Sequence, residues 1–136
     1  MHSTIPSATL AAYTGANYRV DADPPFVMRV GERCAALAAL GASSCAFITA
    51  CNPMGEAYSD AANTQLQQAF SSLLAQRGLA WLTGAGCDPL GQWPCEPSFL
   101  VPGLALDDAR ALGIALRQNA IVWCGADLVP RLILLR

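Results

Sequence analysis

The chain has 136 residues, 54% of them hydrophobic and 13% charged, with a net charge of −2. That composition describes one packed globular domain spanning 1–136, long enough to bury a core without staples, and excludes a disordered chain. Lysine does not occur, which excludes Schiff-base chemistry, a P-loop lysine and a polybasic membrane patch.

Residues 1–12 are rich in Ser, Thr and Ala and read as a loose lead-in or a frayed helix. They contain His2, the single histidine. Histidine triads, histidine metal sites and histidine bases therefore have no donor in the body of the chain. No apolar leader segment precedes Arg19, the first arginine, so no signal peptide is expected. Residues 18–20 and 25–30 read as a hairpin around Asp21-Ala22-Asp23-Pro24. Residues 31–40 place Cys34, Leu37, Ala38 and Leu40 near one helical stripe that Gly41 ends. Residues 45–51 form a continuous apolar run, the pattern of a strand covered on both faces.

After a loop, Ser59 or Asp60 caps a helix that runs to Arg77 and stops at Gly78, with Leu66, Phe70, Leu73 and Leu74 as its stripe. Residues 79–82 read as a strand. Residues 83–94 are the least regular stretch, punctuated by Gly84, Gly86, Pro89, Gly91 and Pro94. Residues 97–104 return to strand character, and Pro102 marks an edge or bulged strand. Asp107 or Asp108 caps a helix to Gln118, and residues 120–124 and 131–135 make a closing hairpin. The element order is ββαβαββαββ. It predicts a single α/β domain, with α+β as the alternative class, built on a mixed β-sheet with about three helices.

Six cysteines, at 34, 45, 51, 87, 95 and 124, form no CxxC and no zinc-ligand spacing. They read as buried reduced thiols, which implies the cytoplasm and no metal site. Residues 34–55 lack Asp, Glu, Lys and Arg. They are Ala-rich and broken by Gly41, Ser43-Ser44 and Asn52-Pro53, so a buried helix and strand fit better than a membrane span.

Uncharged polar residues stand where these elements end. Asn52 closes the apolar run FITACNP, at the carboxyl end of a strand where α/β sheets collect ligands. Its plain alternative is turn initiation. Asn63 begins the buried stripe of the following helix and points toward Asn52, needing partners from loop backbone or a ligand. Glu96 is a carboxylate isolated among Trp93, Pro94, Pro97 and Phe99. Apolar surroundings would raise its pKa and suit it to general acid or base work, or it pins the Gly/Pro-rich loop by accepting backbone N–H bonds. Ser98 has no histidine or lysine to activate it and reads as a hydrogen-bonding group. Gln118 is a better candidate ligand contact than Asn119, which has a helix-capping role. Gly84-Ala85-Gly86 lacks the third glycine of a dinucleotide-binding loop, because Pro89 stands in its place; no cofactor is expected. Cys51 has no base and reads as a small buried hydrophobe.

The blocks FITACNP, Asn63, GxGCDPxGxWPxEPSFLV and RQNAIVW, in that order, resemble the bacterial domain of unknown function 3293 family over about residues 13 to 135. The resemblance implies no activity, substrate or cofactor. It places Asn52, Asn63, Asp88, Trp93, Glu96, Ser98, Gln118 and Asn119 on motif positions. Cys51 departs from it, standing where the family often has a large aromatic residue. The leading expectation is a pocket for a small polar ligand, with Glu96 as acid or base if a reaction occurs and the amides orienting the ligand. The alternative is an interaction module that dimerises through residues 132–135. Nucleic acid ranks last among partners, because the eight arginines form no run and the net charge is negative.

Overall fold

The computed structural model describes residues 3–136, so His2 lies outside the described residues. Its elements are α1 (Ser7–Gly15), β1 (Asn17–Val20), β2 (Phe26–Met28), a 3-10 helix at Ala35–Leu40, β3 (Cys45–Ile48), a 3-10 turn at Pro53–Gly55, α2 (Asp60–Gln76), β4 (Leu82–Cys87), β5 (Glu96–Pro102), α3 (Leu106–Ala115), β6 (Ala120–Cys124) and β7 (Arg131–Leu134). One seven-stranded sheet runs in the order β2-β1-β4-β5-β3-β6-β7. The fold is α+β.

Each pairing is antiparallel where a mixed sheet was expected. The reason lies in the crossovers. Helix α2 links β3 to β4, which run parallel to each other, but β5 sits between them. Helix α3 links β5 to β6 in the same way, with β3 between. Two interlocked split β-α-β units result, the ferredoxin-like arrangement, extended by the β1–β2 hairpin at one side and β7 at the other.

Several expected elements changed extent. The stretch 31–40 forms a short 3-10 helix, capped by Gly41 in the left-handed conformation. Ser59 caps α2, its Oγ accepting from Ala62 N–H at 3.1 Å. Strand β4 lies at Leu82–Cys87, inside the stretch read as irregular. Its Gly84 is there because β1 passes too close for a side chain: a Cβ would stand 2.2 Å from the Arg19 carbonyl oxygen. Strand β5 is interior rather than an edge, with Pro102 at its last position. Arg117, at φ 59°, takes the left-handed position after α3, two residues before Asn119, the expected cap. Cys87 and Cys95 form a disulfide across the β4–β5 hairpin; Cys34, Cys45, Cys51 and Cys124 are free. The reduced-thiol reading therefore fails for that pair, because the hairpin register sets the two side by side, one position beyond Gly86 and Glu96.

The sheet has two apolar faces. Helices α2 and α3 cover one, where Ile48, Phe70, Leu74, Val101, Leu112 and Ile121 pack. On the other, Tyr18, Val20, Met28, Phe47, Leu100 and Val122 pack, with half-buried Trp93 and Leu132 against them. Gly31 N–H donates to the Pro130 carbonyl at 2.9 Å and Cys34 N–H to that of Leu128 at 2.8 Å. These bonds tie the segment after β2 to the one before β7, so the sheet curls and its two sides meet at one end. The other end stays open.

Candidate functional site

The open end gathers the last residues of β3 and β4 and the first of β1, β5 and β6. After β3 the chain turns at Asn52, whose backbone is left-handed at φ 49°, ψ 57°, a conformation that asparagine tolerates better than most side chains. So placed, Asn52 organises the loop. Its Nδ2 donates to Glu96 Oε2 at 2.8 Å. Its Oδ1 accepts from Tyr58 N–H and from Asn63 Nδ2, each at 2.9 Å. Its backbone N–H donates to Asn63 Oδ1 at 2.9 Å. Asn63 reaches it from the first turn of α2. The two amides satisfy each other and direct one N–H bond to the carboxylate.

Glu96 opens β5, facing Gly86 in register, and Gly86 in turn faces Tyr18. Gly86 leaves the space between tyrosine ring and carboxylate clear. Burial raises the Glu96 carboxyl above its ordinary value, and the Asn52 hydrogen bond opposes that shift. Among the described residues, no donor reaches Glu96 Oε1. Ser98, on the same face, donates its hydroxyl to the Glu96 carbonyl at 3.0 Å. Gln118 follows α3 and is buried; its Nε2 donates to the carbonyls of Cys51 at 3.1 Å and Leu116 at 3.3 Å. Two carbonyl partners fix the amide's orientation, which leaves Gln118 Oε1 with no protein donor among the described residues.

Asn52, Asn63, Trp93, Glu96, Ser98 and Gln118 line one cavity of about 1140 Å³. That is slightly above the roughly 300–1,000 Å³ usual for small-molecule sites, and a barrel mouth is a common place for one. A family model described as protein of unknown function (DUF3293) matches residues 48–121, more than half of the chain and all six of these residues. The chain belongs to the DUF3293 family. No curated protein and no solved structure matches it. The part matched to the DUF3293 model runs from the end of β3 into β6 and so contains this whole polar wall.

Two expected site residues of this DUF3293 chain do not line the cavity. Asp88 accepts from the backbone N–H of Leu90 at 3.2 Å and Gln92 at 2.8 Å, which braces the disulfide-closed loop. Asn119 stands behind the wall. It donates to the Tyr13 hydroxyl at 3.1 Å and accepts from Arg136 Nη1 at 2.6 Å.

Tyr13, Tyr18 and Gln67 are among the lining residues that sequence reasoning missed. Tyr13 comes from α1, one residue past the 1–12 stretch that reads as a loose lead-in or a frayed helix. Gln67 could have been found, since it lies one turn beyond Asn63 on α2. Its Oε1 accepts from Ala50 N–H at 2.7 Å, while its buried Nε2 has no partner among the described residues. The Cys51 thiol is buried, its pKa raised first by desolvation, and it donates to the Pro97 carbonyl at 3.5 Å. That geometry suits a packed thiol and not a nucleophile. Among the described residues, no three His, Cys, Asp or Glu side chains gather as a metal site.

Proposed function

We propose that this DUF3293 domain binds a small polar ligand at the open end of its curled sheet, with Glu96 as the general acid or base if the ligand reacts. The observation that carries the reading is a half-buried carboxylate facing a large cavity with one oxygen held by Asn52 and the other unengaged among the described residues. Asn52 and Asn63 form the rigid support, and Gln118 supplies a second acceptor on the same wall. The chemistry in reach is proton transfer and hydrogen bonding. Nucleophilic catalysis finds no support, because Ser98 lacks a base and the Cys51 thiol is committed to Pro97. A fragment screen read by amide chemical shifts tests the proposal. Hits should perturb Asn52, Glu96, Ser98 and Gln118 together; hits that map consistently elsewhere would remove the pocket reading.

A second reading rests on β7, an edge strand whose Leu132, Ile133 and Leu134 are only half-buried. An edge of this kind can pair with a second copy. Light scattering across a concentration series decides it: a constant monomer mass eliminates the dimer. As to location, no described helix is long and apolar enough to cross a membrane. We place the chain in the cytoplasm on its four free thiols, although the Cys87–Cys95 disulfide argues for an oxidising compartment, and subcellular fractionation is the check.

A further inference from the structure

We infer that the ligand is an organic cation, a protonated amine on an apolar, ring-sized body, with its nitrogen seated against Glu96. This rests on the proposed pocket and names what the pocket selects.

Four independent features of the cavity lead there. First, Glu96 has no counter-ion among the described residues. The ion pairs among the described residues join Arg19 to Asp21, Arg29 to Glu32 and Arg131 to Asp127, all at exposed positions. The lining contains no arginine, and it does contain a second carboxylate, Asp60. Arg136 approaches from behind, but its guanidinium is committed to Asn119 Oδ1 and the Met54 carbonyl. A phosphate or carboxylate ligand would meet acids and no cation. Second, of the lining atoms left without protein partners among the described residues, Gln67 Nε2 on α2 is a donor, but the two on the wall that holds the carboxylate, Glu96 Oε1 and Gln118 Oε1, are acceptors. They call for a ligand rich in N–H donors, as an ammonium group is. Third, aromatic rings flank the carboxylate. Tyr18 and Phe47 lie edge to face with centroids 5.2 Å apart, and Tyr13 and Trp93 complete the lining on that side. Ring faces attract a cation and give an apolar body a surface to bury against. Fourth, Gly86 keeps the lane from Tyr18 to Glu96 open, since any side chain there would project toward the tyrosine ring.

Calorimetric titration with three matched probes tests the assignment: 2-phenylethylamine, its neutral counterpart 2-phenylethanol, and phenylacetate. At pH 7 the amine should bind at least about tenfold more tightly than the alcohol, a difference of about 1.4 kcal/mol, and phenylacetate should bind most weakly. The ratio is read on the parent protein and needs no variant. Glu96→Gln, which keeps an oxygen for Asn52 Nδ2, should bring the amine-to-alcohol ratio close to one. If the alcohol binds as tightly as the amine, the cation assignment falls while the polar pocket stands. If phenylacetate binds best, the assignment is reversed in sign. If none of the three binds at millimolar concentration, the assignment falls with the pocket reading beneath it.

Discussion

Asn52 carries three duties at once: a left-handed backbone, a double acceptor for Tyr58 and Asn63, and the donor to Glu96. Replacing it separates them. Asn52→Ala loses three side-chain bonds, at about 1 kcal/mol each, and the asparagine side chain's tolerance of the left-handed region, at about 1 kcal/mol more. A total of about 4 kcal/mol is expected from urea denaturation. Asn52→Gly forfeits the same bonds without the backbone strain and should recover about 1 kcal/mol of that loss. Equal midpoints for alanine and glycine would show that the left-handed turn is not held as described. Glu96 supplies a second test. Burial raises its carboxyl, so the folded protein holds this proton more tightly than the unfolded chain does. Its contribution is fully present below the unfolded value near 4.5 and is lost as pH rises through the raised folded value. Glu96→Gln cannot ionise and removes that loss. Its stability relative to the parent should therefore improve from pH 4 to pH 8, and a difference that stays flat over that range would contradict the raised carboxyl. Both residues were legible in the sequence, because an asparagine closing an apolar run and a carboxylate among apolar neighbours conflict with their surroundings.

Strand β4 shows where local reading fails. Gly84 looks like a breaker, yet it is a glycine because the neighbouring strand β1 crowds it, a tertiary fact that no local pattern records. The same crowding sets a contrast between two glycines. A Cβ at Gly84 would meet the Arg19 carbonyl, which is backbone, so Gly84→Ala must part β1 from β4 and should cost about 3 kcal/mol, the upper end for overpacking. A Cβ at Gly113 in α3 would stand 2.6 Å from Leu135 Cδ1 and 2.8 Å from Ile121 Cγ2. Those methyl groups can turn aside, and alanine gains about 1 kcal/mol of helix propensity, so Gly113→Ala should cost about 1 kcal/mol or less. Thermal melts of the pair would reject this account if the order were reversed. Elements free of such crowding were read well. Helix α2 has its Ser59 cap and ends at Gly78, and β6 and β7 pair as the closing hairpin. The sheet order was not legible, since the insertion of β5 between β3 and β4 leaves no local mark.

At the scale of the whole molecule, the two ends of the curled sheet are built differently. Backbone bonds from Gly31 and Cys34 to the 128–130 segment close one end, and the polar wall lines the other. Helix α1 lies along the cavity through Ala8, Thr9, Ala12 and Tyr13, yet it contains no fully buried residue and no side-chain cap. Its visible anchors are polar. Tyr18 donates its hydroxyl to the Tyr13 carbonyl at 2.5 Å, and Asn119 donates to the Tyr13 hydroxyl. Asn119 is itself oriented by Arg136, whose own carbonyl accepts from Ser3. A helix with so little buried apolar surface opens locally at small free-energy cost, whereas α2 is pinned by Phe70 and Leu74. Hydrogen exchange should therefore proceed much faster in α1 than in the centre of α2. Arg136→Ala should accelerate α1 further by freeing Asn119, with α2 unaffected because it shares none of these bonds. A bound ligand touching Tyr13 should slow α1 selectively. If α1 exchanged as slowly as α2 in the free protein, it would be part of the cooperative core and could not serve as the movable wall of the cavity.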